Sequence, residues 1–156
     1  MRDTNADRGR GTTAAERMAD PVMQLESLIQ AINQHDLEAL VACFALDFVS
    51  DTPAHPERSF RGREQVRKNW TQIFAAVPDL HAVLVRSAVD GEHCWAEWDW
   101  TGTRADGTDF VMRGVTILGI HENRFTSVRF YMEPVQFSGP GPDAAVRQVV
   151  GGVTST

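Results

Sequence analysis

The chain is short of several things at once. It holds two cysteines, Cys43 and Cys94, in 156 residues. They stand in no Cys-x-x-Cys or Cys/His spacing, so a zinc site is not expected, and two buried thiols suit a reducing cytoplasm. Its one tyrosine is Tyr131. Basic charge is not in excess: 15 Lys and Arg face 21 Asp and Glu, for a net charge of -6. That argues against a broad nucleic-acid surface. The local cluster Arg61, Arg63, Arg67 and Lys68 falls on one helical segment and reads as a solvated face. No apolar run approaches the length that spans a bilayer, so no membrane contact is expected. The polar N-terminus lacks the apolar core of a signal peptide. No Gly-rich phosphate loop, metal-ligand set or nucleophile motif occurs, so no cofactor is expected.

What is present suits one soluble domain. Hydrophobic residues make up 42% and charged residues 23%, enough for a single real core. The stretch Glu92–Pro134 organises the rest. Three aromatic and β-branched runs, His93–Thr101, Phe110–Ile120 and Phe125–Glu133, are separated by turns at 104–107 and 121–124. A further strand, Leu80–Val89, leads in through an Asp90-Gly91 hairpin turn. Upstream, Asp20-Pro21 opens a helix with Val22, Leu25, Leu28, Ile29 and Ile32 at helical spacing. Asp36 caps a second helix with Leu37, Leu40, Val41 and Phe44 on its apolar side. Phe48–Thr52 is a short extended piece, broken by Pro53, His55 and Pro56. A third helix carries Val66, Trp70, Ile73, Phe74 and Val77 on one face and stops at Pro78.

Helices followed by collected strands indicate the α+β class. The expected architecture is a curved antiparallel sheet wrapped around three N-terminal helices. A cone is left between the concave face and the third helix, and such a cone is a natural small-molecule pocket. Residues 1–20 read as a polar tail, 21–137 as the domain, and 138–156 as a Gly/Pro linker with a short C-terminal helix.

The run Leu37–Phe44 followed by Asp47–Pro53, then Phe60–Val66 leading to Trp70, resembles the opening of the nuclear transport factor 2-like (NTF2-like, cystatin-like) superfamily. Trp98–Thr103, Arg113–Ile117 and Arg129–Glu133 resemble its SnoaL-like polyketide cyclase and ketosteroid isomerase-like branch. The resemblance implies a cone-shaped fold, a homodimer through the outer sheet face and a small apolar or polycyclic ligand. It also implies cofactor-independent acid/base chemistry, as an isomerase or a polyketide cyclase. A non-catalytic ligand-binding or dimerisation domain of the same fold is the alternative, and an epoxide-hydrolase-like enzyme a third.

Asp51 is the first catalytic candidate. It lies between apolar positions before a proline and matches the place of the general base in ketosteroid isomerase-like relatives. A carboxylate at an apolar cavity mouth is tuned toward proton transfer; the bland reading is a turn-capping Asp. Glu133 is next, near the acidic residue of the polyketide cyclases. It shares a face with Arg129 and Tyr131, a row that reads equally as solvated or dimer-facing. His55, in a Pro-flanked loop near Asp51, is poised to titrate, or is simply an exposed loop His. Arg113, in mid-strand, needs a carboxylate or an anionic ligand.

Trp70, Trp98 and Phe74 are candidate pocket walls, and Asp99 and Tyr131 candidate substrate contacts. If the Trp98/Trp100 face lines the cone, Glu97 and Asp99 point outward. The limonene-epoxide hydrolase pattern is broken, with Glu97 at its Arg place and Phe130 at its Asp place. The oxyanion Tyr place of ketosteroid isomerases is Leu28 here.

Overall fold

A computed structural model describes residues 20–151. All but the last residue of the 1–20 tail, and the chain beyond Gly151, lie outside the described residues. Helix α1 spans Pro21–Asn33, α2 Leu37–Ala42, α3 Arg63–Ala76 and α4 Pro142–Val150. The strands are β1 Phe44–Asp51, β2 Phe60–Arg61, β3 His81–Asp90, β4 His93–Thr103, β5 Asp109–His121 and β6 Arg124–Pro134. A single 3-10 turn, Pro56–Arg58, precedes β2.

The helix starts follow from their caps. Asp20 accepts from the Val22 amide at 3.0 Å, with Pro21 at the first helical position. Asp36 accepts from the Ala39 amide at 3.0 Å and opens α2. Between them His35 takes a positive φ of 53°, which turns the chain. Its ring stacks on Phe74 at 4.7 Å, and its Nε2 lies 2.9 Å from the Leu80 carbonyl oxygen. Asn33 clamps α1 to β3: its Oδ1 accepts from the Ala82 amide and its Nδ2 donates to the Ala82 carbonyl. The extended piece begins earlier than its apolar run suggests. Phe44 already pairs with Phe125, so it belongs to β1 and not to the preceding helix.

One sheet holds all six strands in the order β2-β1-β6-β5-β4-β3. Its pairings are antiparallel except one. The four-strand meander brings β6 back beside β1 in the same direction, with Ser50 opposite Val128. The curved, mainly antiparallel sheet is as expected, and this return strand makes it mixed. Bulges between Leu84 and Arg86 and between Gly119 and Ile120 help to curve it. Gly114, with φ 150°, lies between Trp98 and Met132 in the strand register. A Cβ there would lie 2.2 Å from the Tyr131 carbonyl oxygen, so only glycine lets β5 and β6 approach so closely.

The concave face packs on the helices. Leu25, Ile32, Leu40, Phe48, Leu80 and Phe125 are almost fully buried in this core. Among the described residues no helix is long and apolar enough to cross a membrane.

Candidate functional site

Strand alternation decides what the cone contains. On β4, Cys94, Ala96, Trp98 and Trp100 are buried, whereas Trp95, Glu97, Asp99 and Thr101 face away. On β1, Phe48, Ser50 and, just beyond it, Thr52 are buried, with Val49 and Asp51 more exposed between them. From β5 and β6, Met112, Thr116, Leu118, Val128, Phe130 and Met132 face inward. From α3, Val66, Asn69, Trp70 and Ile73 close the space.

These side chains enclose a cavity of about 350 Å³. That is at the small end of the range for small-molecule sites. Its walls are mostly aromatic and aliphatic, as an apolar pocket with a few polar groups requires. Trp70, Trp98 and Trp100 form a connected set: Trp70 and Trp100 lie 5.4 Å apart between ring centroids, Trp98 and Trp100 6.1 Å. Leu28, at the oxyanion Tyr place, and Phe130, at the hydrolase Asp place, are both wall residues.

The polar lining is sparse. Ser50, Thr52 and Thr116 contribute hydroxyls and are themselves buried. Trp98 Nε1 donates to Thr116 Oγ1 at 2.9 Å, which fixes the indole plane. Asn69 Oδ1 accepts from Gln65 Nε2 at 2.9 Å. Arg58 is the one charged residue in the lining, and its side chain is 59% exposed. Trp100 Nε1 is buried without a hydrogen-bond partner among the described residues. No carboxylate, imidazole or thiol belongs to the described lining.

The acid/base candidates stand elsewhere, because the period of two turns them outward. Asp51 pairs with Arg129 at 3.1 Å and accepts from the Ser59 hydroxyl at 3.3 Å. Glu133 meets His55 Nε2 at 2.9 Å. Arg113 meets Asp99 at 3.3 Å, and the register sets Asp99, Arg113 and Glu133 in one row across the convex face. Tyr131 accepts from Arg129 Nε and Nη2 at 3.3 and 3.2 Å. That hydroxyl, then Asp51, holds the Arg129 guanidinium pKa above its ordinary value.

Of the nine candidate site residues, Trp70 and Trp98 line the cavity. Asp51, Glu133, Arg113, His55, Asp99 and Tyr131 stand outside its described lining. Phe74 also falls outside the lining: it packs behind Trp70 at 5.4 Å and against His35. Ser50 and Thr52 were overlooked although the alternation around Phe48 points to them. Thr116 follows the same logic from Leu118. For Arg58, in an irregular turn, no such signal exists. The two thiols stay out of the cavity wall, and burial pushes both Cys43 and Cys94 above the usual thiol pKa. Among the described residues no group of three or more His, Cys, Asp or Glu side chains could hold a metal ion.

Comparison with known proteins agrees with this geometry. The model of the SnoaL-like domain matches residues 25–128. No curated protein matches the chain. Among solved structures, wild-type IdmH, a putative polyketide cyclase from Streptomyces antibioticus, is similar at 22% identity with a TM-score of 0.64. The match covers 73% of this chain and 92% of that one. An epoxide hydrolase from M. tuberculosis matches at 15% identity and TM-score 0.62, over 72% of this chain and 81% of that one. A protein with a ketosteroid isomerase-like fold from Catenulispora acidiphila, solved in complex with trimethylamine, matches at 22% identity and TM-score 0.61, over 69% of this chain and 84% of that one. At these identities the likeness is one of fold, and fold leaves function open.

Proposed function

The chain belongs to the SnoaL-like domain family, and from that premise we propose that it binds one small, flat, largely apolar molecule inside the cone. A single observation carries this reading. The cavity is walled by Trp70, Trp98, Trp100 and Phe130, yet its described lining offers no group that exchanges a proton near neutral pH. Aromatic walls supply dispersion and hydrophobic contact to a flat ligand. The hydroxyls of Ser50, Thr52 and Thr116 orient its one or two polar atoms. Saturable binding of methyl 2-naphthoate, followed by tryptophan fluorescence, tests it. One site per chain is expected, unchanged by Asp51→Asn; no saturable binding, or loss of binding in that variant, contradicts it.

A second reading keeps the acid/base enzyme, an isomerase or cyclase. Its support is the His55–Glu133 pair at 2.9 Å, because the His55 carbonyl accepts from the amide of the cavity residue Arg58. A ligand overhanging the rim beside Arg58 would have an imidazole near its exposed end. The check is deuterium exchange next to the carbonyl of an enolisable aromatic ketone. Exchange that disappears in His55→Ala supports the enzyme, and none in the native protein rejects it. An epoxide hydrolase gains no support, because Phe130 fills the wall where the last-strand acid would stand.

The convex face suits a homodimer. Trp95 and Tyr131 are 39% and 40% exposed, and Val115 and Ile117 are half-buried among ion pairs that include Arg86–Glu97 at 2.8 Å. Sedimentation equilibrium tests this: a dimer is expected, weakened by Trp95→Glu, and a monomer at all concentrations contradicts it.

A further inference from the structure

The polar groups of the cavity are not a balanced set, and their bias names a ligand. Thr116 Oγ1 accepts from Trp98, and its hydroxyl proton and second lone pair remain open to a ligand, whereas the Trp100 Nε1–H in the same wall is a buried donor with no partner among the described residues. Asn69 Oδ1 already accepts one bond, from Gln65, and its Nδ2 brings two N–H donors to the lining. Arg58 brings only donors, and its one ion pair is weak: Glu57 lies 3.8 Å away and both side chains are largely exposed. Ser50 and Thr52 are buried residues of the lining, and their hydroxyls serve a ligand as donor or acceptor alike. No carboxylate in the described lining competes as an acceptor.

We infer that the cavity selects an anionic ligand: an aromatic or polycyclic carboxylate whose ring system lies among the tryptophans and whose carboxylate reaches Arg58 and Asn69 at the rim. This deepens the cavity-binding reading above and rests on it. The logic is one of unpaired donors. A ligand acceptor meets the Arg58 guanidinium, the Asn69 Nδ2 and the buried, unpaired Trp100 Nε1–H, whereas a ligand donor finds only neutral oxygens and no carboxylate in the described lining. The rim location matters equally. An anion at the exposed Arg58 keeps part of its hydration, and the apolar ring alone enters the dry interior. The fork of the guanidinium also matches a carboxylate in two parallel bonds.

The test uses the full chain and three probes of one shape: 2-naphthoate, its methyl ester and 2-naphthylmethylamine. Tryptophan fluorescence reads each affinity. The native protein is expected to bind 2-naphthoate roughly tenfold more tightly than the ester, with the ammonium probe weakest. Arg58→Gln is expected to remove that preference, so that acid and ester bind with equal affinity, and Arg58→Lys to retain part of it. Arg58 is exposed in a surface turn, so both variants are expected to fold. Equal binding of acid and ester, or a preference that survives Arg58→Gln, overturns the anionic selection while leaving the cavity reading in place. Failure of all three probes to bind rejects the cavity reading, and the anionic inference with it.

Discussion

Trp98 donates its indole N–H to the Thr116 hydroxyl at 2.9 Å, from one strand to the next, and both side chains line the same cavity. This bond joins the fold to the site. It satisfies a buried donor and holds the indole as a wall. Thr116→Val keeps the shape but leaves the Trp98 N–H unpaired. The expected loss is about 1–3 kcal/mol in urea unfolding. Thr116→Ser retains the acceptor and is expected to cost less. A Val variant as stable as the native protein would mean that the bond contributes nothing.

Gly114 is a position that only glycine fits. Its φ of 150° and the 2.2 Å approach to the Tyr131 carbonyl exclude a Cβ unless β5 and β6 part. Gly114→Ala is expected to cost about 1–3 kcal/mol or more, and to loosen the wall at Trp98 and Met132. Differential scanning calorimetry reads the cost. An unchanged melting temperature would show that the sheet relaxes there freely.

Acid stability depends on Asp79. Its carboxylate accepts from the Thr103 amide at 2.6 Å, and that bond holds its pKa below the ordinary 3.8. A carboxyl whose folded pKa is lowered contributes stability that is complete above the unfolded value. That contribution is lost as pH falls through the folded value. Asp106 behaves alike, lowered by the Thr108 hydroxyl and amide. Asp79→Asn is therefore expected to flatten the decline in stability below about pH 4. An acid-unfolding curve of unchanged steepness would contradict this.

Much of the architecture was legible because local signals agreed with one another. Asp20-Pro21 and Asp36 mark helix starts by cap chemistry, Pro78 marks an end, and Asp90-Gly91 marks a hairpin. The Trp98/Trp100 alternation fixes which face of β4 is inward, and Glu97 and Asp99 turn outward as that alternation requires. The site was harder to read. Asp51 draws the eye as an acid beside apolar neighbours, but its inward neighbours are Ser50 and Thr52. Choosing between them takes the phase of a strand whose start, at Phe44, is hidden in a helical pattern. Pairings such as His55 with Glu133, or Asp51 with Arg129, join residues 78 positions apart, and no local pattern encodes them. Arg58 enters the cavity through an irregular turn, which has no period to read.

The central claim is that the tryptophan-walled cone is the binding site and the ion-paired convex face is not. The most direct measurement is the two-dimensional NMR spectrum of the four indole Nε1–H groups during titration with 2-naphthoate. The signals of Trp70, Trp98 and Trp100 are expected to shift together with one saturation curve, while Trp95, on the outer face, stays still. A shift confined to Trp95, or no shift at saturating ligand, would contradict the account.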